Sequence, residues 1–513
     1  MSDVMLRRRT LAALAYALLA TACGSEVAPP VDPAPPAPAT PAPTAQTPGA
    51  PAAPTMPPPP LDHGSVSTTY PAFTPDVAQL VDQGGRVLTN AVVVTVTWND
   101  DPNVATLESV GDSIGASPFW KTVVGEYGVG PATSGATNHV HLTTPLVLPT
   151  DPNADPVSPI MQLISDALAN PAASGWPAPT DQSVYIVYLH GANADTLCAQ
   201  GAGGLHDSVK VGNKDIPFAI SAACSDGPGG MFDALQSATI SASHELAEAA
   251  VDPFPSTAPA WVGLKSDELA WELLQMGQDE NGDMCEFYDD AYGTSGAPQL
   301  PFMVQRTWSN ASASAGHAPC VPAPKDPNFN VAPLGAKDTL VADFGQSMIP
   351  LDPTSKGFQI AVGQTRKIPL GFYTDGATAP FTIQAFEADP FSDQGDPFSP
   401  TMTPSLTVSL DKTSGQNGEK AYLDVKVDKL APEKISLVVV RSTLGGIVHY
   451  LPLIVGPGAA GGASPGGKTG MSGMSGMSGM TGPRGNRVER AHVRAATSSS
   501  PSARAAARGL GRR

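Results

Sequence analysis

The stretch Ser243-His244-Glu245-Leu246-Ala247-Glu248 places one imidazole and two carboxylates close together in the chain. On a helix, residues four apart share a face, so His244 and Glu248 point the same way. An imidazole nitrogen and a carboxylate oxygen can then reach one Zn²⁺ at about 2.0–2.2 Å. Glu245 stands beside the first ligand, where it can take a proton from a water activated by the ion. This is the logic of the H-E-x-x-H metallopeptidases, with glutamate in the second ligand place. The replacement lowers the specificity of the motif, because H-E-x-x-E also occurs on acidic helices whose charges only face solvent.

A zinc centre needs a further protein ligand. Asp279-Glu280-Asn281-Gly282-Asp283-Met284-Cys285 is a short acidic turn, and Glu280 or Asp283 could complete a His/Glu/carboxylate set. The same residues also read as plain Asn-Gly turn chemistry, or as a calcium-type loop with too few ligands. His206, in Gly203-Gly204-Leu205-His206-Asp207, is the other candidate. A lone histidine in a glycine-rich loop is more often structural. His139 and His141 alternate as on a strand, and nothing pairs them with the helix. Tyr288, just past the acidic turn, reads as a packing residue.

These groups need elements to hold them. Gln236–Ala250 is the clearest helix, with Ile240, Leu246 and Ala250 toward one side. Val92–Trp98 and Val184–Leu189 read as buried strands from their β-branched content, and Ile216–Ile220 as a third. Helices are expected at Val104–Ile114, Phe119–Tyr127 and Pro159–Leu168. That order describes an α/β or α+β domain over residues 75–322. Residues 335–456 carry seven short strand-like runs separated by Gly, Asp, Asn and Pro, which predicts an all-β sandwich. The six tryptophans all fall in the first domain, which argues against sugar stacking on the second.

The flanks read differently. Arg7, Arg8 and Arg9 precede a short apolar run, Leu11–Ala22, that ends in small residues directly before Cys23. The run is too short for a permanent span and reads as a lipoprotein signal peptide over residues 1–22, with Cys23 as the lipidated residue. Residues 23–74 follow as a Pro/Ala-rich stalk, with fifteen prolines between Pro29 and Pro60. Such a chain favours extended polyproline II and buries nothing. The Met-Ser-Gly repeats and arginine-rich end, residues 457–513, lack the material for a core.

The remaining cysteines, Cys198, Cys224, Cys285 and Cys320, form an even set suited to two disulfides in an oxidising compartment. Nearest-neighbour pairing gives Cys198–Cys224 and Cys285–Cys320; three connectivities stay open. Residues 484–513 carry a local +7, which leaves −25 on the rest of a chain whose net charge is −18. That acidity argues against nucleic acid as a partner of the folded domains.

Several blocks between Val92 and Cys320 together resemble the bacterial secreted relatives of the plant phosphate-induced, Exordium-like family. They are Phe119-Trp120 with Tyr127-Gly128, Val184-Tyr185-Ile186-Val187, Cys198 with Gly204-Leu205-His206-Asp207, the Ser-His-Glu-Leu-Ala-Glu-Ala helix ending in Asp252-Pro253, Glu280–Cys285, and Trp308-Ser309-Asn310 before Cys320. The resemblance implies a zinc-dependent peptidase, since bacterial relatives with such a helix are read that way. Plant relatives generally lack the His-Glu pair and are read as extracellular growth-related proteins. The expectation is therefore an envelope lipoprotein, anchored to membrane lipid through Cys23. Glu245 would be its base, with His244, Glu248 and Glu280 or Asp283 holding Zn²⁺ and a peptide or protein as substrate. The alternative is a non-catalytic binding or adhesion lipoprotein.

Overall fold

A computed structural model describes residues 60–151, 154–225, 232–294, 297–344, 353–390 and 397–457. Cys23, the signal peptide, the stalk up to residue 59 and the tail beyond residue 457 lie outside the described residues. The chain is a mixed α/β region followed by a β-rich region. Among the described residues, no helix is long and apolar enough to cross a membrane.

The first region is built on a five-stranded sheet. Its strands are β1 (Val92–Trp98), β2 (His139–Leu142), β3 (Ser183–Leu189), β4 (Gly204–Val211) and β5 (Lys214–Ala222), in the order β2-β1-β3-β5-β4. The first four in that order run parallel, and β4 is an antiparallel edge strand on β5. Every residue of β3 is buried, as a parallel strand covered on both faces requires. The expected helix at Val104–Ile114 is present with those bounds. The expected Phe119–Tyr127 helix divides into an α-helix, Pro118–Val124, and a 3₁₀ turn, Gly125–Tyr127. Cys198–Cys224 and Cys285–Cys320 are both disulfides.

The central helix spans Ala234–Val251. Asp233 caps it: its carboxylate accepts from the Gln236 amide at 2.8 Å, and the Gln236 side chain accepts from the Asp233 amide at 3.0 Å. This capping box satisfies two amides that a helix start otherwise leaves orphaned. The sequence suggests one apolar side, yet nearly every residue from Ser237 to Val251 is buried. Alanines at 238, 242, 247, 249 and 250 keep the helix slim enough to be enclosed all round. Ser221 on β5 donates to the Ala238 carbonyl at 2.7 Å, and Ser241 to the Gly203 carbonyl at 2.8 Å, tying helix to sheet.

The second region has a four-stranded and a six-stranded sheet. The expected runs appear as strands, joined by three that the sequence hides, Phe329–Pro333, Asp338–Val341 and the two-residue Ser414–Gly415. Inward side chains of both sheets form one apolar cluster that includes Phe372, Leu423, Val440 and Leu453. Strands Ser436–Leu444 and Ile447–Gly456 are buried on both faces. Val438 and Val440 face the other sheet, while Leu437 and Val439 join the cluster of the first region with Met284, Tyr288 and Trp308. The period of two sends alternate residues into different cores. Residues 61–73, counted with the stalk by composition, lie along this region: Asp62 pairs with Lys420 at 2.7 Å, and Asn417 accepts from the Ala72 amide at 3.0 Å.

Candidate metal centre

The acidic turn folds back over the central helix. Gly282 and Asp283 both aim their backbone amides at Glu248 Oε1, at 2.9 and 3.1 Å. The turn is held from behind by the Cys285–Cys320 disulfide and by the Trp308 amide, which donates to the Asn281 carbonyl at 2.6 Å. Asp283–Cys285 forms a short 3₁₀ turn. Glycine is required at 282, because a Cβ there would lie 2.7 Å from Glu248 Oε1 and 2.9 Å from His244 Nδ1.

This closure brings the sequence candidates together. His244 Nε2 lies 3.0 Å from Glu248 Oε2 and 3.4 Å from Asp283 Oδ1, and 4.0 Å from Glu245 Oε1. His206 enters from edge strand β4. Its Nδ1 is 3.4 Å from Glu248 Oε2, 3.6 Å from Glu245 Oε2 and 3.5 Å from Glu280 Oε2. Ligand atoms of a tetrahedral zinc with bonds of about 2.0–2.1 Å stand roughly 3.3 Å apart, which is the spacing seen here. Two triads have donor atoms within 4.8 Å of one another: His244/Glu248/Asp283 and His206/Glu245/Glu248. Both histidines and all four carboxylates are buried.

The hydrogen bonds fix which ring nitrogen faces the cluster. The Asp252 carbonyl can only accept, so His206 Nε2, 3.2 Å away, carries a hydrogen and, in the neutral ring, Nδ1 offers a lone pair inward. For His244 the logic runs through Gln305. Its Nε2 donates to the Gly282 carbonyl at 2.7 Å, which leaves Gln305 Oε1 to accept from His244 Nδ1 at 3.0 Å. In the neutral ring His244 Nε2 therefore also offers a lone pair. Histidines that ligate metals are oriented in this way by a partner on the other nitrogen.

Two lone pairs and four carboxylates facing one another repel unless a positive charge joins them. The electrostatics show the same demand. Burial alone would lower both histidines, but the carboxylates outweigh it, Glu280 foremost for His206 and Glu248 for His244, and hold both well above the ordinary imidazole range. Burial raises Glu245 against the opposing pull of His244. Burial would raise Glu248 too, yet His244 and His206 hold it well below the usual carboxylate range. Burial and repulsion from Asp283 push the neighbouring Glu286 up to about 8. The donor set of imidazole and carboxylate without thiolate fits zinc and other first-row divalent ions.

His206, Gln305 and the Asp252 carbonyl are the parts that sequence reasoning undervalued or missed. His206 sits on a regular strand, not in a loop. Gly204 opens that strand because a Cβ there would lie 2.6 Å from Glu245 Oε1. His139 and His141 do lie on a strand, β2, but pair with Asp112 and Glu108 away from the cluster. Tyr288 is buried, with its ring 5.2 Å from that of His449.

No family model matches the chain, and no curated protein matches it. Among solved structures, the titin M3 domain aligns with 19% of this chain and 83% of its own length, at 13% identity and a TM-score of 0.13. A likeness that slight carries no argument about this chain.

Proposed function

We propose that this chain is an exported, lipid-anchored zinc-dependent hydrolase acting on peptide bonds. His244, Glu248 and Asp283 would hold the ion, and Glu245 would serve as base. The convergence of His244 Nε2, Glu248 Oε2 and Asp283 Oδ1 carries this reading. A zinc ion there supplies Lewis acidity, bringing a bound water toward deprotonation near neutral pH and polarising a substrate carbonyl. Glu245 Oε1, 4.0 Å from His244 Nε2, would take the water proton and pass it to the leaving amine. Burial favours its protonated form, which suits a group that must hold a proton between those two steps. Gln305 keeps the His244 ring in the ligating tautomer, and the amides of Gly282 and Asp283 fix Glu248. The β-rich region, read as a sandwich, supports the acidic turn from behind and takes no part in the chemistry.

Glu245→Gln separates binding from catalysis. The purified variant should retain zinc while hydrolysis of a mixed peptide library falls by about 10²–10⁴. His244→Ala should lose the ion. Zinc-free wild-type protein after loading at micromolar zinc would end this reading.

One observation favours a second reading. The side chains of His244 and Asp283 are each 10% exposed and that of Glu248 is 2% exposed. So closed a centre also suits a structural ion in a non-catalytic surface protein of the binding or adhesion kind. Zinc retention without hydrolysis of any peptide in the library would select it.

A further inference from the structure

We propose that the cluster takes two divalent cations, the second held by His206, Glu245, Glu248 and Glu280, and that filling this second site withdraws Glu245 from catalysis. The proposal rests on the hydrolase reading for its consequence, and on geometry alone for the site.

Two triads gather within ligand spacing, and Glu248 is the member they share. His206 Nδ1 stands 3.4–3.6 Å from three separate carboxylates, Glu248, Glu280 and Glu245. Its Nε2 hydrogen is committed to the Asp252 carbonyl, so in the neutral ring the nitrogen facing these oxygens is an acceptor. A protonated ring would offer the three carboxylates a single N–H. A cation between them serves all three.

Charge points the same way. Glu245, Glu248, Glu280 and Asp283 are buried, and among the described residues their ion pairs are all with the two histidines. With both rings in their ligating tautomers and all four carboxylates ionised, as ligation requires, the group carries four negative charges. One divalent ion neutralises half of that and two neutralise it fully. Buried charges persist when they are paired or bound to metal. Glu248 Oε1 is occupied by two amides, so Oε2 is the atom both ions would share. Cations sharing a ligand in two-metal sites lie about 3.5–4 Å apart, a separation that a single bridging oxygen permits.

The second ion would engage Glu245 Oε2 and leave its carboxylate unable to accept a proton from water. Zinc would then activate at the first equivalent and inhibit at the second.

The test uses the full chain, stripped with chelator and titrated with Zn²⁺ alone, with bound metal counted by elemental analysis after desalting and by calorimetry. Two ions per chain are expected, and His206→Ala and Glu280→Gln should each reduce the count to about one. Circular dichroism checks that each variant folds, and Glu280→Gln serves if His206→Ala does not. Hydrolysis by the wild type should rise and then fall across the titration, and the falling phase should vanish in the variants. One ion in the wild type, or a count of two that neither variant lowers, overturns the second site while leaving the hydrolase reading intact. A count of zero removes the metal reading altogether.

Discussion

Within residues 329–456 one large cluster of enclosed side chains is made of Phe, Val, Ile, Leu and Ala. Against the central helix of the first region they include two histidines and four carboxylates, buried alongside its alanines. Both interiors exclude water, but they differ in what they need to be stable. The apolar core is self-sufficient: each residue removed from water contributes, at about 1.5–3 kcal/mol for a large aliphatic or aromatic side chain. The polar cluster opposes folding unless positive charge, from protons on its histidines or from a bound ion, joins the carboxylates. On the metal reading, the contrast separates a part of the molecule that is only a scaffold from a part built around a guest. The two meet at the acidic turn, where Tyr288, Met284 and Cys285 pack into a cluster shared with Leu437, Val439 and Tyr450.

That contrast can be broken by experiment, most strongly in the apolar core. Phe372 is fully enclosed there. Phe372→Ala should cost roughly 3–5 kcal/mol in chemical denaturation while leaving the metal count per chain unchanged. A fall in the count would mean that the two interiors are not separable. Metal removal probes the other side. At a free zinc concentration a thousandfold above Kd, binding contributes about 4 kcal/mol. Chelation should therefore raise hydrogen exchange at Gly282, Asp283 and the helix Ala234–Val251, and leave Ser436–Leu444 protected. Uniform loosening of both regions would refute the contrast.

A smaller effect tests the seam. Asp290 is partly buried, which would raise it, but His449, 3.8 Å away on the β-rich side, and Arg306 hold it below the usual carboxylate value. A depressed folded value means that its contribution is present above about pH 4 and is lost as pH falls through the folded value. Asp290→Asn should cost roughly 1–3 kcal/mol, between the limits for exposed and buried pairs. Its stability should then vary less than that of the wild type below pH 4. An identical acid slope in the two proteins would show that the pair does not couple the regions. The smallest expected change is at the start of the central helix. Asp233→Ala removes one half of the capping box and should cost about 1 kcal/mol, read as an equal drop in stability with and without zinc.

How much of this was legible in the sequence follows from range. Val104–Ile114 and the central helix could be read because helical periodicity is local. The short strands of the β-rich region could be read for the same reason. Phe329–Pro333 could not: Asn330 and Pro333 disguise a strand whose identity comes from pairing with Thr365–Thr374, some forty residues on. His206 was misjudged because Gly203-Gly204 signals a loop. At an antiparallel edge a glycine is tolerated, and here the Glu245 carboxylate occupies the space a side chain would take. Gln305 lies in a two-residue strand, too short for any periodicity, and its role depends on a carbonyl twenty-three residues earlier. The motif residues themselves were legible as chemistry; their common focus is a property of the folded chain alone.

Cys285 stands two residues beyond Asp283, and its bond to Cys320 anchors the turn whose amides grip Glu248. With free thiols that turn loses its covalent tie and keeps its packing and the hydrogen bonds from Trp308 and Gln305. On the metal reading, closing the thiols then comes before tight binding: a reduced polypeptide would hold the ion more loosely than an oxidised one.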